Sequence, residues 1–285
     1  MKTIKTLVLL FVLLFPFSAF VTMANGQMLE GVVVDAKTNE PLPFSNVGVL
    51  NKDNGTVTNE DGRFNIDISK LSSNDTIRIS YIGYEASDIW GSSLDSKNRI
   101  KIRLNPIDIQ IPEVQISNRK TRTFVSGNTV KWDKLSFSFM SRQLGAELGT
   151  LIRVNHRVIL EQIRFHVIKT SLDSIVLRVN VYDLVNGMPC HNLLNKPLVI
   201  RARNEVGDVV VDVSDYNIAL DDDFVVCLEH FKELGNDKSG ILISAGVFNN
   251  PSFSRLGSQG KWYKVRFNKI IVGIGLNVKM REIKK

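Results

Sequence analysis

From Met28 onward the chain consists of short apolar runs that alternate with clusters of Gly, Asn, Asp and Pro about every ten residues. Inside these runs apolar and polar residues alternate singly: Ile77 and Ile79 fall on one side of an extended strand, and Arg78 and Ser80 fall on the other. A period of two is the side-chain period of a β-strand, and helical spacing is nearly absent. The sequence therefore predicts an all-β fold built from short strands.

The strands group into two β-sandwiches separated by a proline-containing segment. Six strands are predicted in residues 28–105, near 28–35, 44–50, 62–68, 76–82, 84–90 and 99–104. Residues 106–135 are predicted to be a linker whose middle, 113–117, could add an edge strand, since prolines are tolerated at sheet edges. Seven to nine further strands in residues 136–285 predict a second, jelly-roll-like sandwich.

In this second sandwich the alternation also predicts which side chains point inward. Ile163, Phe165 and Val167 share one face of a strand, and Ile175, Leu177, Val179 and Val181 share one face of the next. Their polar neighbours are predicted to form the opposite, wetter face.

The N-terminus has the pattern of a secretory signal peptide. Lys2 and Lys5 precede an apolar run from Leu7 to Phe20, which ends in small and polar residues. We predict a signal peptide over residues 1–26, cleaved after Ala24 or Gly26, with an uncleaved anchor as the alternative. No second apolar span follows, so the expected location is the periplasm, the outer membrane or the cell surface.

The net charge and the number of cysteines limit the classes of function that we expect for this protein. The formal net charge is +7, and basic residues are in excess in 101–170 and 255–285. The basic segments could bind an anionic surface polymer, or their charges could simply lie on solvated faces of strands. Nucleic acid is not expected as a ligand outside the cytoplasm. Cys190 and Cys227, the only two cysteines, are compatible with one disulfide, or with Cys227 as a buried apolar residue of "FVVCLEH".

Three motifs in residues 28–105 carry a family resemblance. "GVVVDAKTNEPLPFSNV", "GTVTNEDGRFNI" and "DTIRISYIGYE" occur in that order. Together they resemble the carboxypeptidase-like regulatory domain, a transthyretin-like Greek-key sandwich found at the N-termini of outer-membrane receptors and other envelope proteins. The resemblance implies a fold and a compartment. It does not imply peptidase activity, because the domain is an accessory in the enzymes that named it.

The polar cluster in the second motif has two interpretations. Asp53, Asn59, Glu60 and Asp61 are oxygen donors that could hold calcium, but the intervening residues break the alternate spacing of a calcium loop. Asp61 and Gly62 also suit the tight turn of a β-hairpin. We predict the turn and no metal site. A second acidic cluster, Asp221–Asp223, is predicted to be a solvated turn.

No catalytic constellation stands out in the sequence. His230 and Glu233 have the spacing of a zinc-ligand pair, but no histidine follows His230 to complete the site. The elbow motif of serine hydrolases and phosphate-binding glycine motifs are absent. We therefore predict no catalytic residues, no cofactor and no enzyme activity.

Binding is the remaining class of function. Arg255, Lys261, Trp262, Tyr263 and Lys264 cluster in and beside a glycine-rich segment and are the predicted ligand-binding residues, because aromatic and cationic side chains in loops often carry recognition. A second long loop, 182–195, could share their surface. Trp90 and Trp132 are further aromatic candidates.

These features give a leading prediction and two alternatives. The leading prediction is a secreted, non-catalytic adaptor that binds an envelope protein through sandwich loops. A glycan-binding protein that uses Trp262 and Tyr263 is the alternative, and a hydrolase that uses His230 and Glu233 is a third hypothesis. The oligomeric state is left open.

Overall fold

The computed structural model describes residues 27–94, 99–107, 121–140, 143–172, 174–203, 205–232, 240–247 and 249–283. They form an all-β protein with two β-sandwiches, as the alternating pattern predicts. The Greek-key and jelly-roll connectivities remain predictions. Among the described residues, no helix has the length and apolarity needed to cross a membrane. The predicted signal peptide and the possible edge strand at 113–117 lie outside the described residues.

The N-terminal sandwich contains seven strands: β1 (Met28–Asp35), β2 (Asn46–Val49), β3 (Gly55–Val57), β4 (Arg63–Asp67), β5 (Thr76–Ser80), β6 (Ser87–Trp90) and β7 (Ile100–Leu104). Sheet I has the order β4-β1-β7, and sheet II has the order β3-β2-β5-β6. Six of these strands match the predicted ones. The sequence analysis missed β3, because three residues beginning with a glycine are too few to show an alternating pattern.

The core of this sandwich consists of the apolar residues that the period of two places inward. Leu29 and Val33 from β1 pack with Phe64 of β4, and Val47 and Ile79 come from sheet II. All five side chains are buried. Of these residues, Ile79 was placed on an apolar face by the alternation described above, and it is buried as that pattern predicts.

The polar cluster near position 60 is a tight turn, as predicted. The side-chain Oδ1 of Asn59 accepts hydrogen bonds from the backbone N–H groups of Asp61 (3.0 Å) and Arg63 (2.8 Å), and Gly62 has φ 70°. The prediction of a hairpin is wrong, however. β3 pairs with β2 in sheet II, whereas β4 pairs with β1 in sheet I, so the turn carries the chain from one sheet to the other.

The C-terminal sandwich contains the remaining strands: β8 (Thr123–Gly127), β9 (Ser136–Met140), β10 (Ala146–Ile152), β11 (Val158–Thr170), β12 (Ser174–Val185), β13 (Met188–Asn192), β14 (Leu198–Arg203), β15 (Gly207–Asp212), β16 (Ala219–Leu220), β17 (Phe224–His230), β18 (Gly240–Val247), β19 (Ser252–Arg255), β20 (Tyr263–Lys264), β21 (Arg266–Phe267), β22 (Ile270–Ile274) and β23 (Leu276–Glu282). Sheet III has the order β13-β12-β17-β10-β19-β20, with β14 also on β12. Sheet IV has the order β21-β22-β18-β11-β23-β8, with β9, β15 and β16 attached.

The strand count and two regions of this domain differ from the sequence prediction. The described part of residues 136–285 contains fifteen strands, β9 to β23, several of them only two residues long, where seven to nine were predicted. β8 lies in the predicted linker, yet it pairs with β23 and extends sheet IV. The predicted loop 182–195 instead contains the β12–β13 hairpin, whose turn residues Asn186 and Gly187 have φ values of 53° and 71°. An Asn-Gly pair with positive φ is the usual two-residue hairpin turn, a signal that was present in the sequence.

The C-terminal core lies between sheets III and IV. Leu177, Val179 and Leu228 come from sheet III, and Ile163 and Phe165 come from sheet IV. All are buried, so the predicted inward faces of β11 and β12 are confirmed. Part of the other face of sheet III, which the alternation predicts to be wet, contacts the N-terminal domain around Arg178, and this region is the site described next.

Candidate functional site at the domain seam

Four charged residues form a continuous row across the outer face of sheet III, which we call the ionic row. Arg178 on β12 lies opposite Glu229 on β17, Glu229 lies opposite Glu147 on β10, and Glu147 lies opposite Arg255 on β19. All four are buried. Ionic groups remain buried in proteins when partners satisfy their charge and hydrogen-bonding groups, so the row must be internally paired.

Arg178 links the row to the other domain. Its Nε and Nη2 donate to the two carboxylate oxygens of Glu229, at 2.8 Å and 2.5 Å. Its Nη1 donates to the backbone carbonyl of Phe44 at 2.6 Å, and Nη2 also donates to Oδ1 of Asn46 at 2.9 Å. One guanidinium group therefore neutralises a buried carboxylate of the C-terminal domain and binds the first β-sandwich.

Glu147 is paired at the other end of the row. Oε1 accepts hydrogen bonds from Arg255 and from the hydroxyl of Tyr182, the latter at 3.0 Å. The guanidinium of Arg255 also lies 4.8 Å from the ring centroid of Trp262, within the range of a cation–π interaction. The row thus ends beneath the glycine-rich segment that the sequence analysis singled out.

The pKa values of the neighbouring carboxyl groups of Glu147 and Glu229 shift in opposite directions. Burial raises the pKa of Glu147, Arg255 opposes the rise without cancelling it, and the charge of Glu229 adds to it. Burial acts in the same direction on Glu229, but Arg178 outweighs it and holds the pKa of Glu229 below its usual value. Two adjacent carboxylates in a low dielectric cannot ionise with equal ease, so Glu147 takes up a proton first as the pH falls.

This difference predicts a pH-dependent effect of Glu147→Gln. A carboxyl group whose pKa is raised by folding contributes most to stability below its unfolded pKa, and loses that contribution as the pH rises through its folded pKa. The unfolding free energy of the wild type minus that of Glu147→Gln should therefore fall as the pH rises from the ordinary titration range of a glutamate, about pH 4–5, towards neutral and alkaline pH. Urea unfolding across this range measures it, and a difference that rises with pH would contradict the assignment.

A second set of contacts surrounds Ser258, in the loop between β19 and β20, at the interface of the two domains, which we call the seam. Gly48 and Gly55 are cross-strand partners in sheet II, and a Cβ at either position would overlap the carbonyl oxygen of Ser258. Gly145 of the C-terminal domain has φ 77°, and a Cβ at this position would overlap the hydroxyl oxygen of Ser258. We call these three glycines the glycine seat, because only residues without side chains allow so close an approach of backbones.

Hydrogen bonds fix the same loop onto sheet II. The hydroxyl of Ser258 donates to Oδ1 of Asn46 at 3.0 Å, and the backbone N–H of Asn51 donates to the carbonyl of Gln259 at 3.0 Å. Nε2 of Gln259 donates to the hydroxyl of Ser80 at 2.7 Å. Asn46 therefore receives hydrogen bonds from both Ser258 and Arg178, and it joins the glycine seat to the ionic row.

The five predicted ligand-binding residues lie together at this seam. Arg255 is buried in the ionic row, and Trp262 is partly buried with its ring edge-on to Tyr182 at a centroid distance of 5.4 Å. The hydroxyl of Tyr263 donates to Oδ2 of Asp53 at 3.1 Å. Lys261 and Lys264 are exposed beside them. Several of these groups thus contact the protein itself, and their binding of an external ligand stays a prediction.

The backbone of Phe44, which lies at the seam, is strained. Its φ of 60° lies in the left-handed region, which costs a bulky side chain on the order of 1–3 kcal/mol. The Arg178 bond to its carbonyl opposes this cost, as does the bond from its N–H to the carbonyl of Thr58 at 3.0 Å. Its ring packs edge-on to Phe231 of the C-terminal domain, with centroids 5.0 Å apart.

Beside Phe44 the two domains enclose a groove of about 760 Å³. We call it the interdomain groove. Residues of β1, β3 and β4 and the turn at 58–62 line it from the N-terminal domain, together with Leu144, Phe231 and Lys232 from the C-terminal domain. Phe64 and Phe231 are buried, whereas Arg63 and Asp61 are exposed. The groove thus combines buried aromatic rings with charged groups of both signs.

An ion pair crosses from one domain to the other at this groove. Nζ of Lys232 lies 2.5 Å from Oε1 of Glu60, and the Lys232 ammonium holds the pKa of Glu60 below its usual value. Arg99 and Glu30 form a second pair, at 2.9 Å, within the N-terminal domain. Sequence reasoning missed this groove, because its walls come from segments that are far apart in the sequence, such as 56–65 and 231–232.

The remaining candidates of the sequence analysis lie elsewhere. His230 is buried at the end of β17, where Nδ1 lies 3.4 Å from the carbonyl oxygen of Gln143, and Glu233 lies outside the described residues. Cys227 is buried and Cys190 is exposed, and both are free thiols, which confirms the apolar interpretation of Cys227. Trp90 and Trp132 are exposed and away from the lining of the groove.

The acidic cluster 221–223 is a partly solvated turn with a structural contact. Oδ1 of Asp223 accepts a hydrogen bond from the backbone N–H of Val154 at 2.8 Å. Asp221 and Asp222 are exposed.

Comparisons with solved structures yield only distant similarities. The cysteine protease and lectin-like domains of Cwp84, a surface layer associated protein of Clostridium difficile, align with 85% of this chain at 11% identity and a TM-score of 0.37. A clostridial Cwp84 structure after propeptide cleavage aligns with 84% at 10% identity and a TM-score of 0.40. The chain spans 59% and 66% of these two chains. At such TM-scores they carry no conclusion about this protein.

Comparison with curated protein sequences gives no match. A family model does match the N-terminal part of the chain, over residues 29–116. This range contains all three motifs on which the predicted resemblance rests, and it extends from the second residue of β1 past the end of β7. The N-terminal sandwich is thereby shown to match the CarboxypepD_reg-like domain family, which confirms the resemblance drawn from its motifs.

Proposed function

We propose that this protein is a non-catalytic binding module of the cell envelope, and that it recognises an extended segment of a partner protein in the interdomain groove. The N-terminal domain matches a family whose name marks it as regulatory, and the signal-peptide pattern supports export. The groove carries the proposal, since a volume of about 760 Å³ at a domain interface is typical of ligand sites.

The chemistry of the groove favours a polypeptide over other ligands. Phe44, Phe64 and Phe231 supply apolar surface, while Arg63 and Asp61 offer opposite charges on the exposed side. A polypeptide presents apolar side chains, amides and both signs of charge, so such a mixed lining suits it. Among the described strands β4 lies at the edge of its sheet and pairs with β1, and the exposed Asn65 lies on it beside the groove.

The docked domains support binding without rearrangement. Contacts of Arg178, Ser258 and Lys232 with the N-terminal domain fix both walls of the groove in place. A preformed site avoids the free-energy cost of ordering its walls when the ligand arrives. The protein would therefore act as an adaptor that holds a partner, with no bond made or broken.

Site-specific photo-cross-linking tests this proposal. A benzophenone amino acid at Asn65, in cells that produce the protein, should capture a partner protein at a defined peptide, and the same probe at the exposed Trp90 on β6 should not. In the Asn65 probe background, Arg63→Glu should lower capture several-fold by reversing a charge of the groove, and the matched Arg103→Glu on β7 should not.

Two results would overturn the proposal. Capture of the same partner in equal yield from Trp90 would place the binding surface outside the groove. Capture of glycan alone at Asn65 would replace the peptide with a carbohydrate ligand. Mass spectrometry of the cross-linked product distinguishes these outcomes.

A further inference from the structure

We propose that Asp183, Cys190 and His191, in the β12–β13 hairpin, form a binding site for a zinc-class metal ion, in which Cys190 and His191 are the ligands and Asp183 orients the histidine. Within the part of the chain that the structure describes, these three residues are the one cluster of metal-ligating side chains found. They lie outside the lining of the interdomain groove and outside the ionic row.

A β-bulge brings the three side chains together. Tyr182 pairs with Asn192 and Leu184 pairs with Pro189, so Asp183 alone on β12 lies opposite both Cys190 and His191 on β13. Adjacent residues of a regular strand point to opposite faces, whereas a bulge redirects one of them. The irregularity therefore explains how neighbouring Cys and His side chains approach each other.

The hydrogen bonds fix the histidine in the form that binds metal. The carboxylate of Asp183 accepts the backbone N–H of His191 at Oδ1 (2.7 Å) and lies 2.8 Å from Nδ1 at Oδ2. Because a carboxylate can only accept, Nδ1 carries the proton and Nε2 of the neutral ring keeps its lone pair. A carboxylate behind a ligating histidine is the usual supporting arrangement at zinc sites.

The separation of the two ligand atoms fits zinc. Sγ of Cys190 lies 3.7 Å from Nε2 of His191. Tetrahedral zinc with Zn–S of about 2.3 Å and Zn–N of about 2.0–2.1 Å places these atoms roughly 3.5 Å apart. Thiolate and imidazole are ligands for zinc and related transition metals, and they do not suit calcium or magnesium.

The site is open to solvent. His191 has a side-chain exposure of 71% and Asp183 of 36%, so an ion can enter without moving the backbone. Two protein ligands leave two tetrahedral positions for water.

Cobalt(II) titration of the reduced, metal-free protein tests the site. The wild type should develop a thiolate-to-cobalt charge-transfer band that zinc chloride abolishes by displacement, with one metal ion per chain. Cys190→Ser should remove the band. Asp183→Asn should weaken zinc affinity about 10- to 100-fold, as expected for a residue that positions a ligand. The charge-transfer band should still appear in this variant, because it arises from the Cys190 thiolate.

The chain supplies a matched control for a histidine that is only hydrogen-bonded. His166 pairs with Asp208 at 2.6 Å and has no cysteine beside it in the lining of its small cavity. His166→Gln should therefore leave the cobalt spectrum unchanged, whereas His191→Gln should weaken binding at least about tenfold. Circular dichroism verifies that each variant is folded.

Three results would overturn the proposal. The first is no charge-transfer band in the folded, reduced wild type at micromolar cobalt, which would make the bulge purely structural. The second is a band that survives in Cys190→Ser. The third is a stoichiometry of one metal ion per two chains, which would mean that the hairpin does not form the site alone.

Discussion

Replacing Arg178 with methionine should lower the free energy of unfolding of the C-terminal domain by about 3–5 kcal/mol, because it leaves a buried carboxylate without its partner. Glu229 is fully buried and receives two of its hydrogen bonds from Arg178. Methionine keeps an apolar stem of similar length, so the lost charge dominates the effect. The melting temperature should fall on the order of 10 °C.

Urea denaturation followed by tryptophan fluorescence measures this change. Arg201→Met is the matched control, since Arg201 lies on β14 of the same sheet and is exposed, and it should change stability by less than about 0.5 kcal/mol. Adding Glu229→Leu to Arg178→Met should restore much of the loss, because it removes the uncompensated charge. A loss of unfolding free energy below about 1 kcal/mol for Arg178→Met would mean that the Arg178–Glu229 ion pair is solvated and does not stabilise the contact between the two domains.

The second large effect should come from Gly48→Val. A Cβ at position 48 would overlap the carbonyl oxygen of Ser258, and this contact is backbone on the C-terminal side, so it cannot give way by a rotamer change. Valine itself favours a β-strand, so sheet II should stay intact. The expected result is a folded N-terminal domain that no longer docks.

Differential scanning calorimetry should show the undocking. The wild type should unfold with the two domains coupled, whereas Gly48→Val should show a separate, lower transition for the N-terminal domain, shifted by several degrees. Arg103→Val, at an exposed position on β7, is the matched control and should retain the coupling. If Gly48→Val melted like the wild type, the glycine seat would not determine docking.

The two cores could be predicted from sequence because the alternation of residues records which face is apolar. Ile163 and Phe165 in one domain and Ile77 and Ile79 in the other are all buried as predicted. The pattern does not record what covers the opposite face. Alternation placed Arg178 on the wetter side of β12, and its contacts with Phe44 and Asn46 of the N-terminal domain help to bury it.

The candidate site could not be derived in the same way, because its residues meet through long-range register. Arg255 and Glu147 are separated by 108 positions, and Arg178 and Phe44 by 134. One signal was available, namely a glutamate that follows five apolar residues in the strand "FVVCLEH". The cluster at 255–264 was predicted to bind a ligand, and this stays a prediction, since the contacts that the structure shows are with the protein's own N-terminal domain and sheet III.

The central claim is that the two sandwiches dock in one fixed arrangement and thereby preform the interdomain groove. Electron–electron double resonance tests it most directly, with spin labels at Arg103→Cys and Val210→Cys, one exposed site in each domain, in a Cys190→Ser background. The buried Cys227 should not react with the label. We expect a single narrow distance distribution in the wild-type seam, which broadens in Gly48→Val. A broad distribution in the wild-type seam would contradict the claim.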